Sequence, residues 1–295
     1  MTRGLFQNLV AVAHARGHKP KRLPRQAEPI AIRARYLRRI KARVLEYAMK
    51  LVREQLVPHL EELAANSSGI GAPVADAMSD KELGEILDEI KSDYFDKWTR
   101  REFGKVVRPV ADEVARFQAG QLNKQLSAAI GERISLDIVG NEPWLQAAVD
   151  DFVKENVALI KSIPEQFFAE LEKTLSRDIA DGARWEDLAE TIQERYDVSE
   201  SRAELIARDQ VGKFNGDLAK ERQTDLGVGA FIWRTMGDER VRTDETAGDD
   251  LGHVERNGTT YKWSDPPEGE IPGQPIQCRC YAEPDVFSAL ADEGA

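Results

Sequence analysis

Hydrophobic residues recur at three- and four-residue steps along most of this 295-residue chain, which is the spacing of amphipathic α-helices. The clearest example begins at Ile30 and predicts one long helix over about residues 30–63. Its apolar face consists of Leu37, Ile40, Val44, Tyr47 and Leu51. A run of Asn, Ser, Gly and Pro over residues 66–73 then predicts a linker.

The same periodicity, together with helix-start signals, predicts further helices as far as Asp225. Ser79 and Glu82 have the spacing of a capping box, in which each side chain bonds to the backbone of the other residue. We expect Pro109 in the first turn of its helix, and Asn141, Ser162 and Ser201 at helix N-termini. The predicted helices cover about residues 79–98, 109–130, 141–161, 162–179, 185–192 and 201–225.

The pattern changes after this point, because aromatic and β-branched residues now stand between turn residues. Residues 231–233 predict a short strand, and residues 261–263 predict a second strand behind the turn residues Asn257 and Gly258. The sequence therefore predicts a mainly α fold, in which a helical body carries a small α+β, loop-rich module at its C-terminal end.

Positive charge is concentrated at the start of the chain, although the whole protein is acidic with a formal net charge of −11. Residues 1–53 contain 14 Lys and Arg against two acids, whereas the rest of the chain contains 27 against 50. Pro20, Pro24 and Pro29 exclude a continuous helix at the beginning. We therefore expect residues 1–29 to form a basic, extended arm.

Six basic residues follow this arm on the predicted long helix, partly opposite its apolar face. They are Arg33, Arg35, Arg38, Arg39, Lys41 and Arg43. Because Lys and Arg neutralise phosphates whatever the base sequence, the segment predicts contact with double-stranded DNA without sequence preference. The alternatives are an acidic surface of the same or a neighbouring chain, a partner helix, or a membrane surface.

Several classes of protein are not indicated by the sequence. No run approaches the ~18–20 apolar residues that span a bilayer, and no secretory cleavage site follows the first residues. The glycine motifs that bind nucleotide phosphates do not occur. Two cysteines separated by one residue do not form a disulfide framework, so we expect a reducing cytoplasm.

His253, Cys278 and Cys280 have the chemistry of a zinc site, because imidazole and thiolate are ligands that zinc prefers. The candidates for a fourth ligand are water, Asp238, Asp244, Asp249 and Asp250. The alternative is that Cys278 and Cys280 lie on opposite sides of an extended strand, with one packed as a small hydrophobic residue. We favour packing without a cofactor over zinc, and both over a Cys–His nucleophile pair.

The segment Asp-Glu-Arg-Val-Arg at residues 238–242 has two interpretations. Its charged groups either perform acid–base chemistry and bind phosphate, or tie irregular loops together through bidentate Arg–carboxylate bonds. We favour the second, because the module contains so little regular structure. The residues expected to form such ties are Arg208, Asp238, Arg240, Arg242 and Arg279.

The order of these motifs resembles a known family. FIWRTMGDERVR at residues 231–242 is followed by His253, Gly258, an aromatic strand, Asp-Pro-Pro and a final Cys-Arg-Cys, and the helix SRAELIARD precedes them at residues 201–209. Together they are similar to the phage Mu F-like minor head proteins, the head morphogenesis proteins of tailed phages. The chain departs from that family in the ten residues 243–252 that stand before His253.

The resemblance implies a non-catalytic component of the virion that is assembled in the host cytoplasm. Its implied partners are the phage portal protein and other head proteins, with packaged DNA as a further partner and no membrane. The alternatives are a metal-assisted hydrolase or toxin-like nuclease that uses His253 with nearby carboxylates, and a cellular DNA-binding protein. The enzyme hypothesis is the weaker one, because no paired-histidine motif accompanies His253.

These interpretations divide the chain into four parts. Residues 1–29 form the basic arm and residues 30–140 a helical N-terminal region. Residues 141–285 form a head-morphogenesis-like domain of helices followed by short strands and loops, and residues 286–295 form a C-terminal tail.

Overall fold

The computed structural model describes residues 3–18, 23–66, 78–131, 133, 142–239, 241 and 252–286. Within these residues the protein is mainly α-helical, with one small antiparallel sheet near the C-terminal end. This architecture confirms the predicted fold class. No helix in the described part of the chain is long and apolar enough to cross a membrane.

The described residues contain six helices before the sheet. Helix α1 covers Arg3–Ala15. Helices α3, α4, α5 and α6 cover, in that order, Asp80–Lys97, Arg100–Ile130, Leu145–Ala180 and Trp185–Asp225. Helix α2 is continuous over α-helical stretches Ile30–Ile40, Glu46–Leu51 and Val57–Asn66 and π-helical stretches Lys41–Leu45 and Val52–Leu56. The wider π turns change which residues of α2 face inward.

The sheet consists of β1 (Ala230–Arg234), β2 (Thr260–Lys262) and β3 (Tyr281–Pro284) in the order β2-β1-β3. Both pairs are antiparallel, with Phe231 opposite Tyr261 on β2 and Trp233 opposite Ala282 on β3. Strands β1 and β2 confirm the two predicted strands, whereas the sequence pattern did not predict β3.

The predicted helix start at Ser79 is confirmed, because the Ser79 hydroxyl accepts a hydrogen bond from the backbone N–H of Glu82 at 3.2 Å. Three others are wrong, since Pro109, Ser162 and Ser201 lie inside α4, α5 and α6, and α5 also continues through Pro164. The predicted N-cap Asn141 lies outside the described residues.

Buried apolar residues on both sides of each proline explain why the helices continue. Proline inside a helix costs about 3 kcal/mol, through a lost backbone hydrogen bond and a clash of its ring, and the burial of several neighbouring side chains offsets this cost. The residues around Pro109 that are fully buried are Val106, Val107, Val110 and Ala111. Ser201 caps nothing, because its hydroxyl donates to the Asp197 carbonyl four residues earlier at 3.1 Å.

The expected extended arm over residues 1–29 is wrong for its first half, where α1 forms. Proline restricts only its own position and the residue before it, and Pro20 stands beyond the end of α1. Val10 and Ala13 of this helix are buried, as is Leu23. Residues 23–29 have no regular secondary structure.

Compactness divides the chain into two units. The first contains Met1–Arg33, Val110–Phe152 and Arg208–Ala295. One of its cores joins α1, the end of α4 and the segment after α6. The buried residues of this core are Val10, Ala13, Leu23, Leu122, Leu126, Ala129, Ile130, Leu226, Val228 and Val286.

The second unit contains Ala34–Pro109 and Val153–Ala207, and aromatic residues are prominent in its interior. The buried hydroxyl of Tyr94 donates to the Val44 carbonyl at 3.1 Å, and its ring contacts Phe168 edge to face at 5.6 Å. Each compact unit combines segments that are distant in sequence, whereas the predicted domains are continuous stretches of the chain. The units therefore do not test the predicted domain boundaries, which stay predictions.

Within the first unit, α6 and the loop before β3 approach so closely that glycine is required on both sides. A Cβ atom on Gly216 of α6 would lie 2.4 Å from the Pro272 carbonyl oxygen. A Cβ atom on Gly273 would lie 2.8 Å from the Gly212 carbonyl oxygen, and Gly273 has a φ of +100°. The loop therefore lies directly on the helix backbone.

We expect Gly216→Ala to lower the free energy of unfolding by about 1–3 kcal/mol, because the backbone atoms it meets have no room to move. Gly120→Ala, inside α4, is the matched control, since a Cβ there meets no atom within 4 Å. That control should raise stability by up to about 1 kcal/mol, as alanine is the better helix former. Urea unfolding followed by circular dichroism measures both. Equal stabilisation at the two positions would contradict the close approach.

Candidate metal centre

The sheet and its two connecting segments form a small core of their own. Its buried residues are Phe231, Trp233, Trp263, Ile271, Cys278, Cys280 and Ala282, with Tyr261 packed against them. Trp233, at the centre of this core, has no exposed surface. The predicted metal ligands therefore lie inside the core of the C-terminal module.

A turn attached to β1 holds His253 in this core. The backbone N–H of Gly258 donates to the Trp233 carbonyl at 2.8 Å, and the Trp233 N–H donates to the Thr259 carbonyl at 2.9 Å. The imidazole of His253 then meets the Trp233 indole edge to face, with ring centroids 5.2 Å apart. His253 is only 4% exposed.

The two cysteines arrive on the segment that leads into β3. Helix α6 anchors the start of this segment, because the Asp209 carboxylate accepts the backbone N–H of Gln277 at 3.1 Å. The Cys278 N–H donates to the Pro275 carbonyl at 2.9 Å, which bends the chain into the site. Cys278 and Cys280 are each 8% exposed.

The structure brings His253, Cys278 and Cys280 together. The Sγ atoms of Cys278 and Cys280 each lie 3.5 Å from the same atom, Nδ1 of His253. All three donor atoms fall within 4.8 Å of one another. A metal ion between them would therefore reach all three at once.

The expectation that Cys278 and Cys280 lie on opposite sides of an extended strand is wrong. Side chains alternate along extended backbone, so residues two positions apart share a face. In the structure both cysteines turn toward His253, and both are buried.

The pKa values of the two thiols shift in opposite directions. The pKa of Cys278 lies well below its ordinary value, chiefly because the Cys280 thiol donates to its thiolate, and His253 acts in the same direction. The pKa of Cys280 is raised, because it provides that hydrogen bond and because it is buried beside a negative charge.

Arg279, between the two cysteines, binds two carboxylates. Its guanidinium donates to both carboxylate oxygens of Asp238, one of them at 2.7 Å, and to Glu28 at 3.2 Å. This contact is the Arg–carboxylate tie expected for Arg279 and Asp238. Arg208 instead lines the cavity beside the site.

Two further sets of Arg–carboxylate contacts in the module were not predicted from the sequence. Arg256 is 1% exposed, pairs with Glu268 and Glu270, and lies over the Trp233 ring at 5.0 Å. Arg234 on β1 binds Glu283 on β3 through two hydrogen bonds of 2.8 and 3.1 Å. Arginine and glutamate residues are frequent around the predicted strands. Their frequency indicates that salt bridges form there, but it does not identify which residues pair.

A cavity of about 330 Å³ opens beside the three donor atoms. Its described lining residues are Arg208, Val241, His253, Ile276, Gln277, Cys278, Arg279 and Cys280. None of these residues carries a carboxylate. Arg240, Arg242, Asp244, Asp249 and Asp250, which the sequence suggested as ties or ligands, lie outside the described residues.

The basic residues proposed for DNA contact have different surroundings. Arg33 donates to Glu28 at 3.1 Å and is largely buried, and Lys41 pairs with Glu200. Arg39 is half-buried. The remaining three, Arg35, Arg38 and Arg43, are exposed.

Comparison with known proteins gives two matches and one negative result. The family model described as Phage Mu protein F like protein matches residues 169–283. An uncharacterized protein of Haemophilus influenzae is 26% identical over 212 residues, which cover 70% of this chain and 44% of that protein. The chain thus spans less than half the length of that relative. No solved structure matches.

The family match contains the residues that carried the resemblance. It includes β1, β2, the turn of His253 and the Cys-Arg-Cys segment, and it ends at residue 283 within β3. The predicted resemblance is confirmed for this part of the chain. Residues 169–283 are similar to the Phage Mu protein F like family.

Proposed function

We propose that this protein acts in the assembly of the head of a tailed phage, as a minor head protein without a reaction of its own. The observation that carries the proposal is the match of residues 169–283 to the Phage Mu protein F like family. The packed core and Arg–carboxylate ties of the same region are what a structural component needs. We further propose that the protein is part of the virion and is assembled in the host cytoplasm.

The proposed direct partner is the portal protein of the same phage. Co-expression of the full chain with an affinity-tagged portal protein tests this, with the tagged major capsid protein as the matched control. We expect the chain to be retained by the portal through size-exclusion chromatography and not by the control. A folded chain that elutes separately from a folded portal assembly would contradict the proposed partner.

Double-stranded DNA is the second proposed partner, through the exposed residues Arg35, Arg38 and Arg43. We expect the triple Arg→Gln variant to bind duplex DNA more weakly and to reduce the slope of log affinity against log salt by up to about 3. The change should be the same for unrelated DNA sequences, because phosphate contacts carry no base information. Fluorescence anisotropy at several salt concentrations measures both quantities.

The matched control for this experiment removes three positive charges elsewhere on the surface. Lys81, Lys91 and Lys173 are exposed, and their triple Lys→Gln variant has the same net charge as the arginine variant. If both variants lose affinity equally, only net charge matters and the proposed DNA contact is wrong.

The rival function is a metal-assisted hydrolase or nuclease centred on His253. The described lining of the adjoining cavity contains no carboxylate to activate water, and Asp238 and Glu28 are both bound by Arg279. We therefore expect no cleavage of plasmid DNA by the purified protein with added Mg²⁺ or Zn²⁺. Cleavage that disappears in His253→Asn would favour the enzyme.

A further inference from the structure

We propose that His253, Cys278 and Cys280 bind a Zn²⁺ ion that closes the core of the C-terminal module. This inference goes beyond the proposed head function, since a head protein requires no metal. It rests on the positions of three buried donor atoms and on the hydrogen-bonding groups around them.

The separations of the donor atoms fit tetrahedral zinc. Zinc binds cysteine sulfur at ~2.3 Å and histidine nitrogen at ~2.0–2.1 Å, so a sulfur and a nitrogen on one tetrahedral ion are about 3.6 Å apart. Both Sγ–Nδ1 distances in the structure are 3.5 Å. Both sulfurs thus lie at the distance from the histidine nitrogen that zinc requires.

A metal ion satisfies both sulfur–nitrogen contacts more fully than hydrogen bonding does. A neutral imidazole nitrogen either accepts one hydrogen bond or donates one. Here two sulfurs lie at 3.5 Å from the same Nδ1 atom and compete for its single hydrogen-bonding position. A cation between the three atoms satisfies both contacts together.

The surrounding donors suit sulfurs that are bound as thiolates. The backbone N–H of Cys280 donates to Cys278 Sγ at 3.4 Å. The indole N–H of Trp233 is buried without a well-placed hydrogen-bond partner, and its side chain adjoins the Cys280 thiol. A zinc-bound thiolate at Cys280 provides an acceptor there, in the manner of the outer hydrogen bonds that orient metal ligands.

The ion would join two segments that are distant in sequence. His253 is separated from Cys278 by 25 residues and from Cys280 by 27. Because zinc binding contributes free energy to folding, the ion would stabilise the loop between them, which has few apolar residues. The protein supplies three ligands, and the cavity of about 330 Å³ has room for water as the fourth.

Metal analysis of the full chain, expressed with zinc in the medium and purified without chelator, tests this proposal. We expect about one zinc per chain in the parent protein, and less than about 0.1 in Cys278→Ser, Cys280→Ser and His253→Asn. His59→Asn is the matched control, because His59 is a partly exposed histidine that pairs with Glu82. The control should keep its zinc.

A second measurement on the unaltered chain keeps the test decisive if those variants fail to fold. After removal of zinc under reducing conditions, Co²⁺ should produce thiolate-to-cobalt charge-transfer absorption that saturates near one equivalent. Added zinc should abolish this absorption. A parent protein with less than about 0.1 zinc and no cobalt absorption, or a Cys278–Cys280 disulfide in the purified chain, would overturn the proposal.

Discussion

Arg222→Met should lower the free energy of unfolding by about 3–5 kcal/mol, because it leaves a buried carboxylate without its partner. The Arg222 side chain is completely buried and donates to both oxygens of Glu142, at 2.6 and 2.8 Å. It also donates to Gln118 at 2.7 Å and to the Ala115 carbonyl at 2.9 Å. All four acceptors lose a donor in the variant. Urea unfolding followed by circular dichroism measures the loss.

Two controls separate charge burial from loss of packing. In Arg222→Met/Glu142→Gln no carboxylate remains, so we expect part of the lost stability to return. Arg177→Met removes an arginine whose side chain is 69% exposed and pairs only with its neighbour Asp178, and it should leave the unfolding midpoint unchanged. A double variant as unstable as Arg222→Met would show that the missing side-chain volume, rather than the unpaired charge, is responsible.

Trp233→Ala should cost about 3–5 kcal/mol, because it opens a cavity in the centre of the small core. The fully buried indole contacts the His253 imidazole and the Arg256 guanidinium, and it shares the core with Phe231. Hydrogen exchange of the amides in β1 and β3 reports the loss directly, since it measures local opening. These amides should exchange faster in the variant.

The control for Trp233 is Val254→Ala, a large-to-small change in the same module at a residue that is 44% exposed. We expect it to change stability by no more than about 0.5 kcal/mol. If Trp233→Ala left the exchange of β1 and β3 as slow as in the parent protein, β1 would not be the centre of the module.

The periodicity of the sequence predicted the fold class, because a helix with one buried face needs apolar residues at every third or fourth position. The boundaries failed where a local signal competed with packing. Pro109, Pro164 and Ser201 are typical of helix starts, yet burial on both sides keeps each inside a longer helix. At Ser79 the local signal was decisive, and the hydrogen bond from the Glu82 N–H to the Ser79 hydroxyl formed as predicted.

Strand β3 was missed because Tyr281–Pro284 does not alternate between apolar and polar residues. All four residues are buried, and Glu283 is held there by Arg234 across the sheet. Proline at the end of the strand is compatible with the position of β3 at the edge of the sheet. The formation of β3 depends on contacts with β1, and a local sequence pattern does not reveal such contacts.

The residue types of the site were predictable, but their arrangement was not. His253, Cys278 and Cys280 are prominent because the chain has only two cysteines and four histidines. Their convergence depends on how the turn after β1 and the segment before β3 meet in space. No short sequence pattern indicates that these two segments lie next to each other in the fold.

The role in head assembly is tested most directly by the heads themselves. We expect quantitative mass spectrometry of purified heads, from a phage that carries this gene, to detect the protein in a constant ratio to the portal protein. Heads from a phage in which the gene is deleted should be absent or defective, and the intact gene supplied in trans should restore them. Normal, DNA-filled heads that form without the gene, and parental heads that lack the protein, would contradict the proposed function.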